Sequence, residues 1–104
     1  MAEQEVRLTQ PTLQALRFLL QDLRKGRSGA EISMTTKVGS GTLYPMLIRL
    51  EAAGWLRSEW ETIDPSEAGR PRRRFYWLTG LGQKKASVAL AGLQLKSRTL
   101  AWSS

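Results

Sequence analysis

The residues of this chain that could do chemistry are nearly all cationic. Arg70, Arg72, Arg73 and Arg74 crowd together beside Gly69 and Pro71. Guanidinium groups so close repel one another unless a counter-charge is supplied. Phosphates supply one, and arginine also enters a narrow minor groove. A solvated basic edge that keeps a strand from pairing with other chains is the alternative, but one or two charges are enough for that. The wider charge distribution agrees. Sixteen Lys and Arg against nine Asp and Glu give a net charge of +7. Residues 1–67 carry eight basic side chains against nine acidic ones, whereas residues 68–104 carry eight basic and none acidic. A one-sided excess of this kind marks where a polyanion can sit.

Covalent and metal chemistry have little to work with. The chain has no Cys and no His. That excludes a disulfide framework, thiolate and imidazole metal ligands, and Ser-His or Cys-His nucleophile pairs. Glu59 and Glu61 lie two residues apart with Arg57 beside them, which fits a solvated strand face better than acid–base catalysis. No Gly-rich segment matches a nucleotide-binding loop. Neither an enzyme nor a cofactor is expected. The apolar runs are too short to span a bilayer, and the acidic, polar start Met1-Ala2-Glu3-Gln4-Glu5 is unlike a secretory signal, so a cytoplasmic location is expected.

The elements that must position these residues follow from pattern. Residues 1–8 have little to bury and read as a flexible arm. A helix begins near Thr9 or Gln10, with Pro11 in its first turn. Leu13, Leu16, Leu20 and Leu23 form its apolar stripe, with Phe18 and Leu19 partly off it, and Gly26 follows its end near Lys25. Ser28 and Glu31 form a capping box for a short second helix, with Ile32 and Met34 as its apolar contacts. Residues 36–40 read as a turn. Ser40 can cap a third helix whose buried side is Leu43, Leu47 and Leu50, ending at Gly54. From Trp55 the pattern alternates: Leu56, Ser58 and Trp60 share one face. Residues 64–69 are turn-rich, and Arg72, Arg74, Tyr76 and Leu78 share a face of a second strand. Thr79 caps a final helix reaching about Trp102. The fold class is mainly α with a small β-hairpin, a winged helix-turn-helix over residues 1–78 followed by a C-terminal dimerisation helix over 79–104.

In a helix-turn-helix the second helix enters the major groove, here the one from Ser40 to Ala53. Its outward residues are expected to be Thr42, Pro45, Met46 and Arg49, flanked by Lys37 and Ser40. Hydroxyls and guanidinium groups can bond phosphates or base edges. Double-stranded DNA is the expected partner. A winged-helix module for protein or RNA is the alternative, weakened by the absence of an aromatic platform for RNA bases.

Two segments carry a family resemblance. Gly41-Thr42-Leu43-Tyr44-Pro45-Met46-Leu47-Ile48-Arg49-Leu50-Glu51-Ala52-Ala53-Gly54-Trp55-Leu56 resembles the signature of PadR-like regulators. Gly69-Arg70-Pro71-Arg72-Arg73-Arg74-Phe75-Tyr76-Trp77-Leu78-Thr79 resembles the wing of the same family. The resemblance covers roughly residues 11–83. It implies a dimeric transcriptional regulator, usually a repressor, with Tyr44 as a phosphate contact and a small aromatic effector held between Trp residues at the dimer centre in some relatives. Gly80-Leu81-Gly82 departs from the more polar start usual for the last helix. The short C-terminal part matches the subfamily with one terminal helix.

That helix has two apolar stripes. Leu81, Val88, Leu95 and Trp102 recur every seven residues, while Ala86, Leu90, Leu93 and Leu100 lie roughly opposite. One stripe can meet the chain's own core; the other needs a partner, most simply a second copy related by a two-fold axis. Among the four Trp, Trp55 and Trp60 are expected around the hairpin base, with Trp77 and Trp102 at the interface or an apolar pocket.

Overall fold

The computed structural model describes residues 6–103, and side chains as far as Gly92. The elements are α1 (Gln10–Gln21), β1 (Arg27–Ser28), α2 (Gly29–Thr36), α3 (Ser40–Ala52), β2 (Leu56–Trp60), α4 (Pro65–Ala68), β3 (Arg74–Leu78) and α5 (Gly80–Ser103). The hairpin of β2 and β3 is antiparallel, with Leu56 opposite Leu78 and Ser58 opposite Tyr76. A third strand was not foreseen: β1 adds to the other edge of β3, pairing Arg27 with Tyr76.

Local chemistry accounts for most boundaries. Thr9 caps α1, its hydroxyl accepting from the Thr12 N–H, and Pro11 sits in the first turn. The helix ends at Gln21, four residues before the expected stop, and the following turn is held by the Asp22 carboxylate accepting from the Arg24 N–H at 3.2 Å. Ser28 caps α2 through the Glu31 N–H at 3.1 Å. The reciprocal half of the capping box is not made, because the Glu31 carboxylate pairs with Arg27 instead. Lys37 takes a left-handed conformation (φ 65°) to end α2, and its N–H bonds the Ser33 carbonyl. Gly39, not Ser40, occupies the N-cap of α3. Thr79 caps α5 as expected, accepting from the Gly82 N–H at 3.0 Å while its hydroxyl donates to the Gly54 carbonyl.

The core is built where α1, α2, α3 and the sheet converge. Leu16, Ile32, Leu43, Leu47 and Leu50 are fully buried, each worth about 1.5–3 kcal/mol of apolar transfer. On α1 the buried residues are Thr12, Ala15, Leu16, Phe18 and Leu19, so the apolar face is rotated from the expected stripe and Leu23 is exposed. Met34 is 72% exposed rather than packed, because the short α2 turns only Gly29 and Ile32 inward. Val6, within the expected arm, packs against the core.

α5 leaves the domain against α1. Ala86 is fully buried and Leu90 half-buried, whereas Leu81 and Val88 are 46% and 71% exposed. The side chains of Leu93, Leu95, Leu100 and Trp102 lie outside the described residues. Gly82 makes the crossing possible: a Cβ there would collide with the Trp55 carbonyl oxygen, the same oxygen that accepts from the Thr79 N–H at 3.0 Å. The Gly80-Leu81-Gly82 departure therefore has a packing reason. No described helix is long and apolar enough to cross a membrane.

Candidate nucleic-acid interface

α2 and α3 are joined by the three residues 37–39. Hydroxyls tie this turn to α2: Ser33 Oγ donates to the Val38 carbonyl at 2.6 Å, and Thr36 Oγ1 accepts from the Val38 N–H at 3.3 Å. Val38 is buried and anchors the turn, leaving Lys37, Gly39 and Ser40 exposed. This fixes how α3 leaves the body of the domain.

α3 buries Leu43, Met46, Leu47 and Leu50. Met46, expected outward, is only 4% exposed. Its sulfur accepts from Thr12 Oγ1 at 3.2 Å, so the helix is turned with Met46 against α1. The exposed arc comprises Gly41, Thr42, Tyr44, Pro45, Ile48, Arg49 and Ala52. Pro45 lies inside α3 and cannot donate to the Gly41 carbonyl, but Gly41 is on the exposed arc, where solvent can take that bond. Ile48, 67% exposed, stands in the middle of this arc and was not foreseen. Its signal was the spacing of Pro45, Ile48 and Ala52, three and seven positions apart, which is also one helix face. Such an apolar centre suits contact with thymine methyl groups.

Tyr44 lies across the start of α2. A Cβ on Gly29 would stand 2.6 Å from the Tyr44 ring and 2.7 Å from its hydroxyl oxygen, so Gly29 gives the ring its seat while the residue stays partly exposed. Tyr44, Ile48 and Ala52 form one wall of an open groove of about 720 Å³; Trp60, Arg72 and Arg73 form the other. Tyr76 closes its floor, and burial pushes the Tyr76 hydroxyl pKa upward, keeping it neutral.

The four wing arginines divide into two kinds. Arg70 forms a two-pronged pair with Glu61, at 2.7 and 3.0 Å. Arg74 donates from Nε to Ser58 Oγ at 2.8 Å, approaches Glu51 at 3.5 Å, and lies 5.3 Å from the Trp60 ring centre. Glu51 also accepts from Ser58 Oγ at 2.7 Å, so Arg74, Ser58 and Glu51 tie the sheet to α3. For these two, the chain itself supplies the counter-charge that phosphate was expected to bring. Arg72 donates Nε only to the exposed Ile63 carbonyl at 2.9 Å, and neither it nor Arg73 makes an ion pair among the described residues. Glu61, expected as a solvated acid, is instead the hub of the wing base. Its pKa is lowered from 4.5 to about 2, chiefly by the Arg70 hydrogen bonds.

The tryptophans also depart from expectation. Trp55 packs on the core, but Trp60 is exposed on the wing. Trp77 is held by its own domain: it lies against Gly26, donates Nε1–H to the Arg24 carbonyl at 3.2 Å, and carries the Arg57 guanidinium 4.4 Å from its ring centre.

A helix pair with a locked turn, followed by a β-wing carrying unpaired arginines, is a winged helix-turn-helix. The family model of the transcriptional regulator PadR-like family matches residues 20–88. The chain belongs to the PadR-like family. It is thus a DNA-binding transcriptional regulator, in a family of regulators rather than enzymes. No curated protein matches the chain in sequence. Among solved structures, smu.1704 from Streptococcus mutans UA159 is 27% identical with a TM-score of 0.73, over 92% of this chain and 87% of that one. MepR, a transcription regulator of the Staphylococcus aureus multidrug efflux pump MepA, is 19% identical with a TM-score of 0.71; 92% of this chain covers 65% of MepR. A transcriptional regulator homologue from Pyrococcus horikoshii OT3 is 21% identical with a TM-score of 0.68, over 86% of this chain and 81% of that one. The latter two share the fold with this PadR-like chain.

Proposed function

We propose that this PadR-like protein is a sequence-specific repressor that binds operator DNA as a homodimer. The exposed arc of α3 enters the major groove, where Thr42, Ile48 and Arg49 meet base edges. Lys37, Ser40 and Tyr44 stand at the N-terminal end of that helix, suited to phosphates. Arg72 and Arg73 grip the flanking backbone. Arg70 and Arg74 hold the wing in shape instead of meeting DNA. The observation that carries this reading is the contrast within one wing: two arginines neutralised by Glu61 and Glu51, two left without an ion pair beside the exposed face of α3.

The homodimer is supported by the exposure of Leu81 and Val88 on a helix that buries Ala86 and half-buries Leu90 on its opposite side. Two winged helices on one axis would read a two-part site, and linked binding raises the affinity of each half. A small aromatic effector between the protomers remains part of the reading through the family resemblance, with Trp77 already engaged in its own domain.

The test is direct. Duplexes selected from a random library are titrated at several salt concentrations, then placed upstream of a reporter in a purified transcription reaction. Tight, salt-sensitive binding to a two-part sequence and falling transcript on addition of protein are expected. An absence of binding to every duplex at low salt would sink the DNA reading; rising transcript would sink repression alone.

A further inference from the structure

On the side of α3 away from the wing, a second groove of about 430 Å³ runs between the N-terminal segment, α1 and α3. Arg7 and Arg49 line it, and no acidic side chain among the described residues does. Neither arginine makes an ion pair among the described residues. Thr42 adds a hydroxyl with no partner among those residues. The other two hydroxyls are committed: Thr12 Oγ1 donates to the Met46 sulfur at 3.2 Å, so in the 2.9 Å contact between Thr9 and Thr12 it is Thr9 that donates. Among the described residues the groove therefore has a satisfied floor, and the charged groups on its rim are both cations.

We propose that Arg7 holds a phosphate of the DNA backbone at the rim of this groove, on the strand opposite to the one gripped by the wing, with Arg49 beside it reaching inward to base edges. The inference rests on the DNA-binding reading and adds a contact to it. Its geometry follows from the helix. At about 100° per residue, Thr42 and Arg49 fall within about 20° of each other, and Tyr44 and Glu51, which face the wing groove, fall about 140–180° away. A helix about 10–12 Å across fills a major groove about 12 Å wide. Each flank of the helix then faces one of the two phosphate backbones. On the wing flank Arg72 and Arg73 supply the cations. On the other flank the cations that line the groove among the described residues are Arg7 and Arg49. The Arg7 guanidinium suits a phosphodiester, which offers acceptors and one negative charge.

The experiment compares the full-length protein with Arg7→Ala and Arg7→Lys on a fluorescent mixed-sequence duplex across a salt series, with phosphate-ethylation interference on a selected site. Arg7 is exposed and makes no side-chain hydrogen bond or ion pair among the described residues, so both variants should fold as wild type. Arg7→Ala is expected to weaken binding to all duplexes alike, with the slope of log K against log salt shallower by about 0.9. Arg7→Lys should recover most of that slope. Ethylation should interfere on both strands for wild type, and on the wing-side strand alone for Arg7→Ala. A wild-type slope in Arg7→Ala, or a changed sequence preference at unchanged slope, overturns the phosphate assignment and leaves the DNA reading standing. Failure of the wild type to bind any duplex at low salt overturns both.

Discussion

Arg70 and Glu61 face each other across the base of the wing, joined by two parallel hydrogen bonds of 2.7 and 3.0 Å. Glu61 Oε1 also accepts from the Arg73 N–H at 3.2 Å, while the Glu61 N–H donates to the Arg73 carbonyl at 2.8 Å. One carboxylate thus closes the loop between β2 and β3 and sets where Arg72 and Arg73 emerge.

The pH dependence of that closure has a definite sign. The Glu61 pKa is lowered from 4.5 to about 2, so the folded state prefers the charged carboxylate. Its stabilisation is fully present above about pH 4.5 and drains away as pH falls toward 2. Glu61→Gln keeps the shape and loses the charge. The variant should melt below wild type at neutral pH, and the gap should close as the solution is acidified to about pH 2. A gap of constant size over that range would show that the Arg70 pair contributes nothing through its charge.

Much of this was legible from sequence because it is local. Thr79 announces its helix by its hydroxyl, Ser28 by its spacing to Glu31, and β2 and β3 by alternation. What was missed depends on contacts across the fold. β1 has two residues, too few to show a period, and forms only because β3 has a free edge. The Leu43, Leu47 and Leu50 stripe alone puts Met46 outward; the buried arc is wide enough to include it. The pairing of Arg70 with Glu61, nine residues away, and of Arg74 with Glu51, 23 residues away, has no signature in either segment. Arg7 gains significance only when Val6 docks and brings it beside Arg49.

Substitutions at the DNA-facing surface should separate by flank and centre. Arg72→Ala and Arg73→Ala remove cations that make no ion pair, so each should lower affinity for all sequences and flatten the salt slope by about 0.9. Thr42→Ala, Ile48→Ala and Arg49→Ala alter the face that meets bases, so preference should change at particular positions, by about 1–3 kcal/mol for a direct base contact. Ile48 is exposed, so its loss should leave thermal stability within about 0.5 kcal/mol. Selection of bound sequences with each variant distinguishes the two groups. Unchanged preference in all three helix variants would remove α3 as the reading element.

Two glycines of α5 should respond oppositely to alanine. At Gly82 the added Cβ meets the Trp55 carbonyl, a backbone group that cannot swing aside. Shifting α5 away would also strain the Thr79 cap, so a loss of about 3 kcal/mol or more is expected. At Gly92 nothing lies within 4 Å, and alanine should gain about 0.5–1 kcal/mol of helix stability. Chemical denaturation of both variants checks the pair. A harmless Gly82→Ala would mean that the start of α5 sits farther from Trp55 than the structure places it.

The assembly prediction turns on Val88. On one side of α5, Ala86 is buried against the domain; on the other, Val88 is 71% exposed and Leu81 46% exposed. Together with Leu8, Trp55 and Ala89 nearby, Val88 lines an apolar surface edged by Lys84 and Lys85. If a second protomer covers this surface, Val88→Glu buries a carboxylate in the interface at a cost of several kcal/mol. Its two neighbouring lysines lower that cost only if they stay close enough to pair with it. Because Val88 is exposed within one chain, the same change should leave the fold of each protomer intact, giving unaltered circular dichroism. Sedimentation should then show dimers for wild type and monomers for Val88→Glu at the same concentration. DNA binding by the variant should drop to that of a single winged helix, since the gain from linked half-sites disappears. A wild type that sediments as a monomer at tens of micromolar, roughly the range of a weak association, would refute the homodimer. Unchanged dimerisation by Val88→Glu would move the interface away from the exposed part of α5.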